Sequence, residues 1–371
     1  MTLDQFNSIF PFIACSSHFL NIRKLLRDKQ VLGVHWAAPL ITYSGQVSGI
    51  YFMYTLEQWY TMAGGATFFV LSFTWYCMMI YYNYFRKKEV YMSYTIGIVG
   101  KGFVGGAMYE NFKDVFNVLV WDIDPEKRNV ETFERFVEQS EVIFICVPTP
   151  MKDSGECDTT IVDNIVKDIS LIDRRKYTVI KSTVTPGTTE RLSEEHRMTI
   201  AFNPEFLTEA NAYNDFRFQP LIVLGTDDQG INAVLSQIYS EFNTKVENPA
   251  YVVNRTTKEA EMFKYLANCF LATKVIFANE FKMLCDRSEI DYNRIAEIAM
   301  LDKRLGKTHW KVPGPDGKLG FGGSCFPKDT SALLNFAESV GATMWLLTES
   351  TYINDDIRGE TFHKLTVVED K

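Results

Sequence analysis

The chain has 371 residues and a formal net charge of −8 at neutral pH. This length exceeds the usual single-domain range of about 100–200 residues, and the negative charge argues against nucleic acid as a general partner. The seven cysteines include no CxxC pair and the five histidines are scattered, which excludes a disulfide framework and argues against a metal site.

Hydrophobic residues dominate the first 91 positions. Met62–Phe85 carries no charge and is followed at once by the basic run RKK. About 20 apolar residues cross the hydrocarbon core of a bilayer, and basic flanks favour the cytoplasmic side. We therefore predict a helical transmembrane segment within residues 1–91, with the rest of the chain in the cytoplasm. The alternative is that these residues form a buried hairpin of a soluble protein. If translation started at Met92, the protein would lack this segment and would be soluble in the cytoplasm.

The same segment is similar to a single PQ-loop or half-SWEET transporter repeat. The similarity lies in three uncharged stretches and in the basic loop FLNIRKLLRDKQVLGVHW after the first of them. The proline–glutamine pair of those repeats is absent. A different kind of domain is expected to begin at residue 92.

A short apolar stretch, Thr95–Val99, is typical of a buried strand and leads directly into a glycine-rich turn. The glycines have GxGxxG spacing and are Gly100, Gly102 and Gly105. A second predicted strand, Val118–Trp121, ends in Asp122, about 20 residues after the turn. Such glycines let a pyrophosphate approach a helix N-terminus, and Asp122 would bind the adenosine ribose and repel a 2′-phosphate. The pattern predicts NAD rather than NADP, with a ligand-free turn as the alternative.

Four further apolar stretches alternate with helical ones. They are predicted strands and are Val142–Val147, Thr178–Lys181, Thr199–Ala201 and Leu221–Leu224. This alternation is typical of an α/β fold with a doubly wound parallel sheet of Rossmann type. Ligands bind beyond the carboxyl ends of such strands, so we expect the polar loops Pro148–Pro150 and Ser182–Thr189 to border the cofactor.

The stretch Thr257–Arg287 contains no glycine or proline and predicts a long central helix. Lys264 and Asn268 are four residues apart and share one face of it. This pattern leaves two interpretations of Lys264 open, a solvated residue at the edge of the helix face and a buried functional lysine. The solvated residue is the more frequent case in such a helix.

A lone cysteine stands in the glycine-rich stretch GFGGSCFPKD, residues 320–329. A free thiol titrates near pH 8.5 and becomes a strong nucleophile as the thiolate. Glycine N–H groups and the nearby Lys328 are expected to lower the pKa of Cys325 and to hold an oxyanion. A buried structural cysteine is the more frequent case, but a thiol beside a nicotinamide can capture an aldehyde and so permit a second oxidation.

From about Tyr94 to Thr330 the chain resembles the UDP-glucose/GDP-mannose dehydrogenases. The matching stretches are IGIVGKGFVG, VIFICVPTP, STVTPGTT, FNPEFLTEA, EMFKYLANCFLATKVIFANE, DKRLG and GFGGSCFPKD, the last being more similar to the UDP-glucose members. The resemblance implies a Rossmann domain over residues 92–255, an all-α dimerisation domain over residues 256–371, a homodimer, and NAD as cofactor. It implies oxidation of a nucleotide-sugar primary alcohol to the uronic acid in two steps, with UDP-glucose as the expected substrate.

The resemblance also assigns roles to single residues. The expected catalytic residues are Cys325, Lys264, Asn268, Asp329, Glu205 and Thr183. Among them Cys325 is the nucleophile, Lys264 and Asn268 stabilise the oxyanion, Asp329 orients a water, and Glu205 helps to hydrolyse a thioester. The expected cofactor-binding residues are Gly100, Gly102, Phe103, Val104, Gly105, Asp122, Pro148, Thr149, Thr183 and Lys328. The expected substrate-binding residues are Glu205, Lys264, Asn268, Arg304, Gly322 and Gly323, with Arg304 reaching the sugar of a neighbouring subunit.

Two features depart from the family pattern. Members carry a third, C-terminal α/β domain that holds much of the nucleotide sugar, whereas this chain stops at Lys371. Leu221 stands where the family strand DRIVIG has an arginine. We therefore expect weak nucleotide-sugar binding. Two alternative functions remain, a non-catalytic NAD-binding or dimerising module and a one-step hydroxyacid dehydrogenase, which has no need of Cys325.

Overall fold

The computed structural model describes residues 59–80 and 94–360. The chain divides into two compact units, Met1–Met92 and Ser93–Lys371. In the first unit the described residues form one helix, α1, Trp59–Ile80. The basic loop of the expected transporter-like repeat lies outside the described residues.

The predicted membrane-spanning helix is not found. Among residues 59–80 and 94–360, no helix is both long and apolar enough to cross a membrane. Helix α1 has 22 residues and no charge, but glycine, threonine, serine and the amphipathic rings of tryptophan and tyrosine interrupt its apolar positions. Residues 81–85 of the predicted segment Met62–Phe85 lie outside the described residues.

The second unit is built on a seven-stranded sheet. Its strands are β1 Thr95–Val99, β2 Asn117–Trp121, β3 Val142–Ile145, β4 Tyr177–Ile180, β5 Ile200–Phe202, β6 Leu221–Gly225 and β7 Tyr251–Arg255. They lie in the order β2-β1-β3-β4-β5-β6-β7. Strands β1 to β5 pair in parallel, which confirms the Rossmann-type sheet.

Helices pack on both faces of this sheet. They are α2 Phe103–Phe112, α3 Phe133–Gln139, α4 Thr160–Asp173, α5 Thr188–His196, α6 Ala212–Arg217 and α7 Gln229–Asn243. One apolar cluster joins the strands to α2, α6 and α7, through side chains such as Phe112, Phe216 and Tyr239. A second cluster joins them to α3, α4 and α5. The sheet is therefore doubly wound, as its sequence pattern predicts.

Two features of the sheet differ from the prediction. Strand β6 runs antiparallel to β5 through the pair Phe202 and Gly225, and the unpredicted strand β7 pairs in parallel with β6. The chain between β5 and β6 contains only a short 3₁₀ turn and the six-residue helix α6, so it lacks the long crossover helix typical of a parallel return. Strand β7 escaped prediction because it is largely exposed and so has a weak apolar pattern.

After β7 the chain is mainly helical. The helices are α8 Thr257–Arg287, α9 Tyr292–Leu301, α10 Phe326–Ser339 and α11 Trp345–Arg358. Helix α8 has the predicted bounds, and it begins at a capping box in which Thr256 and Glu259 each accept a backbone N–H of the other. A Cβ at Gly225 would lie 2.5 Å from the Cβ of Ala260, so this glycine allows α8 to start directly against the sheet beside the end of β5.

Candidate active site

The glycine-rich turn after β1 has the shape that its spacing predicts. Gly100 has a φ of +88°, and a Cβ there would lie 2.7 Å from the carbonyl oxygen of Cys146. A Cβ at Gly105 would lie 1.9 Å from the oxygen of Gly100, so both positions require glycine. At Gly102 a Cβ would meet no atom within 4 Å. The open side of the turn and the N-terminus of α2 together leave room for a pyrophosphate.

Asp122 lies at the end of β2, beside this turn. Its carboxylate accepts hydrogen bonds from the backbone N–H groups of Lys101 at 2.5 Å and Asp124 at 2.9 Å. With Pro148 and Arg128 it lines a cavity of about 820 Å³, a volume in the range of small-molecule sites. The cavity, the fixed carboxylate and the open turn fit the adenosine and diphosphate parts of NAD.

The loop after β4 is attached to helix α8 by a buried glutamate. Glu261 accepts hydrogen bonds from Gly187 N at 2.6 Å, Thr189 N at 2.9 Å and Thr189 Oγ1 at 2.6 Å. In the same loop the carbonyl of Thr183 accepts a hydrogen bond from Cys157 Sγ at 3.4 Å. The sequence analysis missed Glu261, although an acidic residue three positions before Lys264 on the same helix face was a usable signal.

Lys264 and Glu205 form a buried ion pair. The Lys264 Nζ donates to Glu205 Oε1 at 2.9 Å and to the Glu205 carbonyl at 2.5 Å, and Lys264 is 3% exposed. Its interpretation as a solvated edge residue is therefore wrong. Burial raises the pKa of Glu205, but Lys264 and the N–H of Leu207 outweigh that effect, and the net shift is downward. An ammonium has three N–H donors, so these two bonds leave one for a ligand oxygen.

Asn268 and Lys328 converge on the buried carboxylate of Asp329. The Asn268 Nδ2 donates to Asp329 Oδ2 at 2.6 Å, and Lys328 Nζ donates to Oδ1 at 2.5 Å. Burial lowers the pKa of Lys328, but Asp329 and Cys157 outweigh it, and the net shift is upward. Lys328 is therefore charged and neutralises Asp329, which in turn orients the Asn268 amide.

Cys325 is the N-cap residue of α10 and is half-buried. The expected lowering of its pKa is wrong, because burial raises the pKa of the thiol, and the Ser324 hydroxyl and Lys264 offset this only in part. The ammonium of Lys328, from which part of this lowering was expected, is bonded to Asp329. The thiol is therefore protonated at neutral pH, with the Lys264–Glu205 pair and Asp329 close enough to act on it electrostatically.

The remaining predicted substrate residues fall into two places. Gly322 and Gly323 directly precede Ser324 and Cys325, and Gly323 has a φ of +77°. Arg304 lies in the exposed turn after α9, where its guanidinium bonds to Asp302. The structure thus joins the predicted lysines, carboxylates, amide and thiol, and leaves Arg304 on the surface. Within residues 59–80 and 94–360, no group of His, Cys, Asp or Glu side chains is placed to hold a metal ion.

Residues 258–356 match the central domain of the UDP-glucose/GDP-mannose dehydrogenase family, and residues 128–243 match the NAD binding domain of that family. The structure of a UDP-glucose dehydrogenase from the hyperthermophilic archaeon Pyrobaculum islandicum is similar to this one. The TM-score is 0.64 at 30% identity, over 72% of this chain and 69% of that chain. The chain belongs to the UDP-glucose/GDP-mannose dehydrogenase family. Its predicted cofactor, NAD, is confirmed by the match to the NAD binding domain.

Two curated members of the family show how much of their length this chain covers. UDP-glucose 6-dehydrogenase TuaD of Bacillus subtilis (strain 168) is 31% identical over 312 residues, which is 74% of this chain and 65% of that protein. The UDP-glucose 6-dehydrogenase of Rickettsia bellii (strain RML369-C) is 39% identical over 203 residues, 53% of this chain and 45% of that protein. The chain therefore spans between 45% and 65% of the length of these two relatives.

Proposed function

We propose that this family member oxidises the primary alcohol of a nucleotide sugar to a carboxylate in two NAD-dependent steps, converting UDP-glucose to UDP-glucuronate. One arrangement carries the proposal. Lys264 and Asn268, one turn apart on α8, donate to the buried carboxylates of Glu205 and Asp329. Cys325 lies one turn before Asp329, whose backbone N–H donates to the Cys325 carbonyl at 2.8 Å. UDP-glucose is favoured because the relatives described above are named for it. Bound NAD supplies the hydride acceptor for both steps.

In the first oxidation the protein holds the alcohol oxygen and removes its proton. The remaining N–H donors of Lys264 and Asn268 bind the oxygen on the reacting carbon. The hydroxyl proton leaves through a water held by Asp329, while the hydride leaves the carbon, and the product is an aldehyde. The donors on Lys264 and Asn268 stabilise negative charge as it develops on the oxygen.

In the second oxidation the Cys325 sulfur bonds to the aldehyde carbon and the thiol proton passes to the aldehyde oxygen, giving a thiohemiacetal. Loss of a hydride from carbon and of the proton from oxygen then gives a thioester. Glu205, ionised at neutral pH, takes a proton from the attacking water, and hydrolysis releases the acid and restores the thiol. Each sugar thus consumes one water and yields two NADH.

The test uses the purified chain with NAD and a panel that includes UDP-glucose, UDP-N-acetylglucosamine and GDP-mannose. NADH is followed optically, and the products are separated by chromatography. We expect UDP-glucose to give the acid with two NADH per sugar. One NADH per substrate would instead support a one-step dehydrogenase, and NAD binding with no turnover of any sugar would support a non-catalytic module.

The exposed face of α8 supports a homodimer. Phe270, Phe277 and Leu284 are spaced seven residues apart and are 66%, 56% and 58% exposed, and Leu266, one turn before Phe270, is 59% exposed. An apolar stripe with a seven-residue repeat is typical of a helix that packs against a partner helix. In such a dimer the exposed Arg304 is available to the sugar of the neighbouring subunit, which is the role implied by the family resemblance.

The dimer is tested with the double substitution Phe270→Asp and Phe277→Asp. We expect sedimentation to show a monomer and circular dichroism to show unchanged helicity, because both side chains are exposed in the single chain. Tyr251→Asp, at an exposed position of β7, is the matched control and should leave the mass unchanged. A dimer that survives the double substitution would place the interface elsewhere.

A further inference from the structure

Two buried asparagines from different helices hold the loop that leads to Cys325. Asn279 Oδ1, on α8, accepts a hydrogen bond from Gly320 N at 3.0 Å, and Asn354 Oδ1, on α11, accepts one from Phe321 N at 2.7 Å. Their exposures are 2% and 0%. Two successive N–H groups of the loop are therefore fixed by side chains and not by regular secondary structure.

The loop also lies directly on α11. Gly320 has a φ of +69°, and a Cβ there would lie 2.5 Å from Asn354 Oδ1. One turn beyond Asn354, Arg358 donates to the carbonyl of Leu319 at 3.1 Å, and a Cβ at Gly322 would lie 2.6 Å from its Nη2. Gly320 cannot gain a side chain without displacing the loop from this support, whereas a side chain at Gly322 would displace the Arg358 guanidinium.

Asn354 makes this contact although part of its side chain is unsatisfied. Its Oδ1 is bonded to the loop, but its Nδ2 is buried and has no hydrogen-bond partner among the described residues. A buried unpaired donor destabilises a fold, whereas an apolar side chain of similar size would not carry this penalty. The hydrogen bond that Asn354 Oδ1 accepts from Phe321 N therefore accounts for an asparagine at this position.

We propose that Asn279 and Asn354 are positioning residues, which fix the Cys325 sulfur relative to Lys264 and Asn268. The proposal rests on the function proposed above for Cys325. Helix α8 carries both Asn279 and the two oxyanion residues, so one rigid element holds the loop and the groups that the sulfur must face. A misplacement of about 1 Å in a reacting group can lower a rate about 100-fold.

The test compares two variants of Asn354. Asn354→Leu removes the side-chain oxygen that accepts the hydrogen bond from Phe321 N. Asn354→Asp keeps that oxygen, and its added negative charge lies one turn from the Arg358 guanidinium. The measurements are the alkylation rate of Cys325 by iodoacetamide, from mass spectrometry of its peptide, and NADH formation. We expect Asn354→Leu to raise the Cys325 alkylation rate about tenfold, because a released loop relieves the burial that raises the thiol pKa. In Asn354→Leu, turnover should fall about 100-fold at an unchanged KM for NAD. In Asn354→Asp, the Cys325 alkylation rate and the turnover should both stay close to those of the wild type.

Internal and matched controls separate positioning from general loosening. Buried Cys285 should stay unreactive in each variant, and Asn293→Leu, at an exposed position of α9, should behave as wild type. Asn279→Leu should reproduce the pattern and replaces Asn354→Leu if that variant does not fold. Wild-type alkylation of Cys325 in a folded leucine variant, or equal exposure of Cys285, overturns the proposal. Alkylation of Cys325 does not depend on turnover. A selective effect at Cys325 in a chain that oxidises no sugar would therefore refute the proposed function but would still show that the two asparagines, called here the asparagine clamp, hold the cysteine loop.

Discussion

The cofactor half and the catalytic half of the site are built by different means. The cofactor half uses backbone shape at strand ends, with Gly100 and Gly105 setting the turn and Asp122 adding one carboxylate. The catalytic half uses buried charged and polar side chains, and its bonds from Lys264 to Glu205 and from Asn268 to Asp329 join positions 59 and 61 residues apart. The cofactor half should therefore respond in a graded way to the loss of its one carboxylate, Asp122, whereas the catalytic half should fail when one partner is removed.

The largest effect is expected from Cys325→Ser, which removes the proposed nucleophile and leaves the cofactor half intact. Serine has the same shape, but its hydroxyl is far less acidic than a thiol. Formation of the acid should fall about 1,000-fold or more, and the NADH yield should drop from two per sugar to at most one. Affinity for NAD, measured by fluorescence titration, should not change. Acid formed at the wild-type rate would show that Cys325 is structural.

Lys264→Met should damage stability and catalysis together. It leaves Glu205 buried and unpaired, which costs about 3–5 kcal/mol of unfolding free energy, and it removes an oxyanion donor, which lowers the rate of both oxidations about 100- to 1,000-fold. Urea unfolding and NADH formation measure the two effects separately.

The double variant Lys264→Met, Glu205→Gln sharpens this test. Removing both charges should recover much of the lost unfolding free energy, while activity should stay at the level of the single variant. If the double variant were as unstable as Lys264→Met, the loss would come from packing and not from an unpaired carboxylate.

Lys181 offers a contrast, because this buried lysine is hydrogen-bonded to an amide and not to a carboxylate. Its Nζ donates to Asn203 Oδ1 at 2.9 Å, and burial lowers the pKa of Lys181 from 10.5 to about 8. Between these pH values the unfolded chain binds more protons than the folded one, so stability rises with pH across this window. Below about pH 8 the buried charge opposes folding in full.

Lys181→Met should remove that pH dependence. From pH 8 to pH 10.5 the free energy of unfolding of the wild type should rise by up to about 3 kcal/mol relative to the variant. Urea unfolding of both proteins across this range gives the difference and cancels the titration of other groups. Parallel pH profiles would show that Lys181 does not change its charge between folded and unfolded states in this window.

The smallest effect is expected in the cofactor half. The Asp122 carboxylate should disfavour NADP relative to NAD by at least about 1 kcal/mol through like-charge repulsion. Asp122→Ala should narrow the preference, and Arg128, which lines the same cavity, remains available to a 2′-phosphate. Titration with both cofactors measures the ratio, and equal affinity in the wild type would refute the role of Asp122. Turnover at saturating NAD should change little.

Most of the cofactor half could be predicted from the sequence because its determinants are local. Strand β1, the glycine turn and Asp122 follow one another closely, and the steric limit on Gly105 comes from Gly100 within the same turn. The reversal of β6 and the presence of β7 could not be predicted, because they depend on the path of the chain between strands. Glu261 was missed because its partners in the loop after β4 lie more than 70 residues away.

The residues proposed for the catalytic half could be named from the sequence, but the direction of the Cys325 pKa shift could not. Family resemblance singled out Lys264 and Cys325, and the structure brings them together. The expected direction of the Cys325 pKa shift was wrong because the fold buries the thiol, and this burial raises its pKa more than the neighbouring groups lower it. The asparagine clamp joins three segments separated by more than 30 residues each, and no local pattern reveals it.

Helix α8 constrains the changes in chain length that this protein can tolerate. Between Glu261 and Asn279 it presents a carboxylate to one loop, two donors to the carboxylates of Glu205 and Asp329, and an amide to the cysteine loop. These groups span about 27 Å at 1.5 Å per residue. Inserting one residue after Lys264 would turn every later side chain by about 100° and carry Asn268 and Asn279 away from their partners together. Surface loops absorb such insertions readily. Along α8, substitutions on the exposed face should be accepted, whereas a single-residue insertion or deletion should disable the site as completely as the loss of its thiol.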